Sequence, residues 1–158
     1  MIQKSSANLT SILKSMTDFE LALADLYRTC SQIWLVDKEF WADMEKAELK
    51  HAENINKMSK IVSEKPDHFE PGRLLKPAAF QTSILGIKWH IDRLKKREIF
   101  EKKMLFIARD LEQSILESSY SDVIKTSDTE FQALIKEVLS DTVGHRERLD
   151  KKISETAS

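Results

Sequence analysis

The sequence predicts an all-α fold: an antiparallel four-helix bundle with one long crossover between the second and third helices. Three observations predict it. Glycine and proline number only three each, and most of them fall between residues 66 and 86. About a third of the residues are charged, and Leu, Ile, Lys and Glu are abundant, a mixture of strong helix formers. Apolar residues recur every three or four positions along four long stretches, the spacing that holds side chains on one helix face.

The first helix is expected from near Ser6 to Val36. Its apolar stripe is Leu9, Ile12, Leu13, Met16, Phe19, Leu23, Leu26, Tyr27, Cys30 and Trp34. Glu20 falls on the line Met16–Glu20–Leu23–Tyr27 and should point inward, whereas Asp18 and Asp25 lie off it and should be solvated. Asp37 is placed to cap the second helix, and Glu39 in its first turn suits the helix dipole. That helix continues to about Ser63 or Glu64. Its stripe is Trp41, Met44, Glu48, His51, Ile55, Met58 and Val62, and two of the seven are ionisable. A carboxylate and an imidazole three residues apart share a helix face and can ligate one metal ion. On its own, Glu48-Leu49-Lys50-His51 has a plainer reading as a half-exposed pair on the helix rim.

Lys65-Pro66-Asp67-His68-Phe69-Glu70-Pro71-Gly72 is the clearest break, and the chain lacks periodicity from there to about Lys76. This is the crossover. After Pro77, Ala78–Ile91 reads as a shorter helix (Phe80, Ile84, Ile87, Ile91) interrupted by Gly86 and placed to run into the third long helix. The third helix is expected over roughly Asp92 to Ser119, with Phe100, Met104, Leu105, Ile107, Ala108, Leu111 and Ile115 as its stripe. Glu112 lies on that inward line. Residues 120–128 form a short connection, at whose end Ser127 or Asp128 can cap the fourth helix. That helix carries Phe131, Leu134, Ile135, Val138, Leu139, Thr142, His145, Leu149 and Ile153, with Asp141 one step off the line.

Nothing divides residues 1–158, so one domain is expected. The 25 basic and 26 acidic residues nearly cancel, which argues against an electrostatic grip on nucleic acid or an anionic membrane. No run approaches the ~18–20 apolar residues that span a bilayer, and no apolar signal core follows Met1. A cytoplasmic protein is expected. The lone Cys30 cannot form an internal disulfide and sits on an apolar stripe, the place of a buried structural thiol. His68 is expected to be exposed, His90 to cap or stack on Trp89, and Lys95-Lys96-Arg97 to be a solvated helix face. Trp34, Phe40, Trp41 and Trp89 read as core packing at a bundle end, with a subunit interface as the other reading. Phosphate loops, Ser-His-Asp sets and nucleic-acid motifs are absent from the sequence.

Glu20, Glu48, His51, Glu112 and His145 are thus ionisable residues on inward stripes near the middle of four different helices. Antiparallel neighbours bring such mid-points to one level, with axes about 8–10 Å apart. Five independent accidents are far less probable than one shared site.

At these residues the chain resembles the ferritin-like superfamily, and in particular its rubrerythrin-type branch. Glu20, with Tyr27 seven residues on, resembles the first-helix element of that family. Glu48-x-x-His51, followed by Ala52, resembles the second, and Glu112, with Tyr120 downstream, the third. The resemblance implies a carboxylate-bridged pair of iron or manganese ions used on oxygen, peroxide or ferrous iron, and a homodimer. Glu20 and Glu112 would be terminal ligands, Glu48 the bridge, and His51 and His145 the nitrogen ligands; zinc would also be accepted.

Three departures from the family pattern stand out. Where a second Glu-x-x-His belongs, the fourth helix has Thr142-Val143-Gly144-His145, so three glutamates face the four positive charges of two divalent ions. Balance then requires Asp141, a hydroxide or other anion, or a single metal ion. Ile115 replaces a further glutamate, and a Cys-x-x-Cys electron-transfer module is absent, which sets the chain apart from the rubrerythrin-type peroxidase cycle. The competing expectation is a bundle without metal chemistry that serves as a binding or scaffolding module, its Glu and His residues paired with one another.

Overall fold

The computed structural model describes residues 2–72, 77–117 and 120–156. It is all-α, with five helices among these residues: α1 (Ile2–Ile33), α2 (Lys38–Glu64), α3 (Pro77–Lys95), α4 (Glu101–Glu117) and α5 (Thr129–Thr156). Two short strands, β1 (Phe69–Pro71) and β2 (Ile124–Thr126), form an antiparallel ribbon with Phe69 opposite Thr126. None of the helices is both long and apolar enough to cross a membrane.

Contacts at the two ends give the direction of each helix. At one end Trp41, early in α2, donates from Nε1 to Glu101 at the start of α4, 2.9 Å away. Lys152, late in α5, meets Asp37 before α2. The ribbon marks the opposite end, where Phe69 packs on Phe131 at the start of α5 with ring centroids 5.2 Å apart. Hence α1 and α5 run one way and α2 and α4 the other. The helix α3 begins at the ribbon end, where Phe80 packs between Phe19 and Tyr120. It climbs along α1, so the stretch between α2 and α4 is itself largely helical.

Here the third helix differs from its sequence expectation. Residues 92–95 belong to α3, and α4 starts only at Glu101 and runs in the opposite direction. The expected end at Ser119 lies outside the described residues, as do 73–76 of the crossover. The reversal is a capping motif at an unusual residue. Glu98 N–H donates to Arg93 O and Arg97 N–H to Leu94 O, both at 3.0 Å, while Arg97 takes the left-handed conformation with φ 59°. Glycine or asparagine usually signals this motif. Arginine gave no such signal, whereas Gly86, the expected interruption, lies inside an unbroken helix. The shift also moves Phe100 off the stripe: preceding the first turn of α4, it is 85% exposed.

The inward stripes are otherwise as expected. Leu9 through Cys30 of the first stripe are buried, with Trp34 half-buried, and all seven stripe residues of α2 from Trp41 to Val62 are buried. Met104, Leu105, Ala108 and Ile115 of α4 and Phe131, Ile135, Val138 and Leu149 of α5 complete the core. Trp41 sits against Tyr27, Trp34 and Phe40 at the bundle end, while Trp89 is exposed and lies against His90. His68 is exposed and Cys30 buried.

Of the two expected caps, Asp128 accepts from Phe131 N–H at 2.9 Å and closes the first turn of α5. Asp37 makes no cap bond to α2; its carboxylate is taken by Lys152 instead. At the ribbon the backbones come so close that a Cβ on Gly72 would stand 2.0 Å from Asp122 O, which only glycine allows.

Left-handed backbone at a non-glycine residue is strained, and glycine removes the strain at the cost of a floppier unfolded chain. Arg97→Gly is therefore expected to raise stability by roughly 0.5–1 kcal/mol, read as a higher urea midpoint with an unchanged m-value.

Candidate metal centre

Helices α1, α2, α4 and α5 each carry an ionisable residue inward at the middle of a stripe otherwise filled by core side chains. The periodicity that buries Met16 and Leu23 buries Glu20 between them, and the same holds for Glu48 and His51 between Met44 and Ile55. Glu20, Glu48, His51 and Glu112 are each 0% exposed and His145 5%. The structure brings all five together.

Glu48 stands at the centre. Its Oε2 lies 3.1 Å from His51 Nδ1 and its Oε1 3.0 Å from His145 Nδ1. The two imidazoles stack, with centroids 5.5 Å apart and planes at 27°. Glu20 Oε2 is 4.0 Å from His51 Nδ1, and Glu112 Oε1 is 3.7 Å from His145 Nδ1. Two groups of ligand atoms result, Glu20–Glu48–His51 and Glu48–Glu112–His145, each with all its atoms within 4.8 Å of one another. Donors held about 2.0–2.3 Å from one ion can be at most about 4–4.6 Å apart, so each group is close to closing on an ion.

With all three glutamates ionised, both oxygens of Glu20, Glu112 Oε2 and Tyr120 Oη have no partner within hydrogen-bond reach; a proton on Glu20 lets its carboxyl pair with Glu48, and Tyr120 lies beside it. Tyr27, by contrast, donates to Glu112 Oε1 at 2.6 Å. Burial, then the charges of neighbouring glutamates, raises both tyrosine pKa values well above the ordinary range, so both phenols stay protonated.

The same forces split the three glutamates. Burial raises the Glu20 pKa far above the ordinary carboxylate value, and the nearby charges of Glu48 and Glu112 add to the effect. Burial and Glu48 push Glu112 up to about 7. Burial opposes the charge of Glu48 as well, but the carboxyl of Glu20 and the two imidazoles facing it outweigh burial and hold its pKa well below the usual range. Burial disfavours imidazolium, yet the carboxylates win at both histidines. His51 is raised, and His145 is raised to about 10 by Glu112 and Glu48.

Asp141 and Thr142 stand apart from both groups. The Asp141 carboxylate, 44% exposed, sits 3.2 Å from His51 Nε2, on the side of the ring away from Glu48. It orients the imidazole and keeps Nδ1 facing the cluster. Thr142 is fully buried, and its hydroxyl donates to Val138 O at 2.8 Å, a bond within its own helix.

Sequence reasoning missed the bonds from Tyr27 to Glu112 and from Asp141 to His51 at the site, and the bond from Trp41 to Glu101 at one end of the helices. The available signal was a phenol and an indole on inward stripes, since each carries a donor that burial obliges to find a partner. No family model, curated protein or solved structure matches the chain.

The raised groups set the pH dependence of the metal-free protein. Glu20, Glu112, His51 and His145 all bind protons more tightly folded than unfolded, so stability falls as pH rises. The fall begins above the ordinary carboxylate value of 4.5 and runs to about 10, where His145 loses its proton. With chelator present, the urea midpoint is expected to be lower at pH 9 than at pH 6.

Proposed function

We propose that the chain is a ferritin-like four-helix-bundle protein that binds two iron or manganese ions between α1, α2, α4 and α5 and acts as an oxidoreductase on oxygen, peroxide or ferrous iron. One observation carries this reading. Three glutamates and two histidines from four helices meet in the core around a shared Glu48, and in the ionised form three of their carboxylate oxygens face no donor. An unpaired buried carboxylate costs several kcal/mol, and a divalent cation offsets that cost.

In this reading Glu20 and His51 would hold one ion and Glu112 and His145 the other, with Glu48 within reach of both. Three glutamate and two imidazole donors suit iron or manganese, and zinc would bind the same set. When bound, such ions supply open coordination positions and, for iron or manganese, one-electron chemistry toward a small oxidant. The chain's own residues exclude bulk water and orient the ligands: Tyr27 fixes Glu112, and Asp141 fixes His51. Tyr120, buried beside Glu20, can donate its hydroxyl hydrogen bond to that carboxylate.

A second reading has an observation in its favour. Both Glu48 oxygens already face an imidazole, so the metal-free cluster is partly self-satisfied. A bundle that keeps these pairs and binds no metal would be a scaffolding or binding module. The orphaned oxygens of Glu20 and Glu112 weigh against it.

Elemental analysis of protein produced with iron or manganese supplied separates the two. About two ions per chain is the expected result, and none would leave only the scaffold. Replacement of Glu48 by Gln should remove both ions together, because both groups share it. Asp141→Asn should weaken binding by about 10–100-fold without changing the number of sites, as measured by metal titration.

A further inference from the structure

A pocket that the metal reading does not use lies in the seam between α1, α3 and α4, with a volume of about 170 Å³. We propose that this pocket binds a small uncharged aromatic molecule, no larger than a single six-membered ring. The inference goes beyond the metal reading and does not depend on whether ions are bound.

Size, lining and access support it. An apolar cavity of roughly 150 Å³ walled by aliphatic and aromatic side chains stays dry and accepts benzene. Here the floor is Phe19, Phe80, Ile115 and Tyr120, all buried. Phe80 meets Phe19 edge to face, with centroids 6.3 Å apart and planes at 66°, and its centroid lies 6.4 Å from that of Tyr120. Three rings set at angles to one another present both edges and faces to a fourth, the arrangement that aromatic groups favour. Ala79, Ser83 and Ser114 form the mouth and are exposed, so a ligand can enter from solvent.

The polar atoms around the pocket are already committed. Ser83 Oγ donates to Ala79 O at 3.1 Å, and Ser114 Oγ donates to Leu111 O at 2.6 Å. The Tyr120 hydroxyl lies beside Glu20. None of the lining residues carries a charge. Such a surface cannot replace the hydration of a charged ligand, which selects an uncharged one. The pocket also borders the Glu and His cluster: Phe19 precedes Glu20, Ile115 follows Glu112 by three residues, and the Tyr120 ring lines the pocket while its hydroxyl is beside Glu20. A bound ring would therefore lie one side chain away from Glu20.

Benzene, titrated into the chelator-treated full chain, tests this through the NMR signals of the Ile115 methyl groups and the Tyr120 ring. The expected result is a saturable shift of both, with a Kd of about 1 mM or tighter. Benzoate, the same ring bearing a charge, should bind at least about tenfold more weakly. Ser83→Phe fills the mouth from an exposed position and should abolish the benzene shifts. Ala79→Phe serves the same purpose if that variant does not fold, and if neither folds, the two wild-type titrations decide. A shift that never saturates, benzoate bound as well as benzene, or benzene binding unchanged in a folded mouth variant would each overturn the proposal. The metal reading is decided separately by elemental analysis, so either can fail while the other stands.

Discussion

The contact on which the centre of this structure depends is Glu48 held between two imidazoles. A carboxylate with no exposure to water is an expensive group, costing several kcal/mol unless it is matched. A whole domain is stable by only about 5–15 kcal/mol, so the match is a condition for folding rather than a refinement. His51 from its own helix and His145 from α5 supply it at 3.1 and 3.0 Å. Glu20 and Glu112 lack an equal match; burial and the neighbouring carboxylates drive both toward the protonated form in the absence of a cation.

This imbalance gives the site its chemical character. The protons on these imidazoles and carboxyls are what a metal ion would have to displace, so binding of an ion would release protons. The aromatic shell works in the same direction. Trp41, Trp34, Phe40 and Tyr27 close one end of the bundle, and the ribbon with Phe69 and Phe131 closes the other. Excluding water on both sides strengthens every charge interaction between them.

The connections are built by contacts that span long stretches of sequence. The ribbon ties the crossover to the α4–α5 connection, and Gly72 permits the close approach to Asp122. Lys152 and Asp37, 115 residues apart, join the last helix to the start of α2. Arg97 reverses the chain in a conformation that costs an L-residue energy, and α3 and α4 are separate helices because of it.

Sequence periodicity alone determined the all-α class, the buried stripes and the inward direction of Glu20, Glu48, His51, Glu112, Thr142 and His145. These follow from 3.6 residues per turn acting on a local pattern, and a local pattern is fully present in one sequence. Only the tertiary structure decided where α3 ends and α4 begins, that Phe100 is exposed, that Asp37 serves Lys152 rather than a cap, and that Asp141 stands behind His51 while Thr142 bonds its own helix. Those outcomes depend on which partner reaches a side chain from a distant part of the chain, or on a strained turn held by its surroundings. No local spacing encodes either.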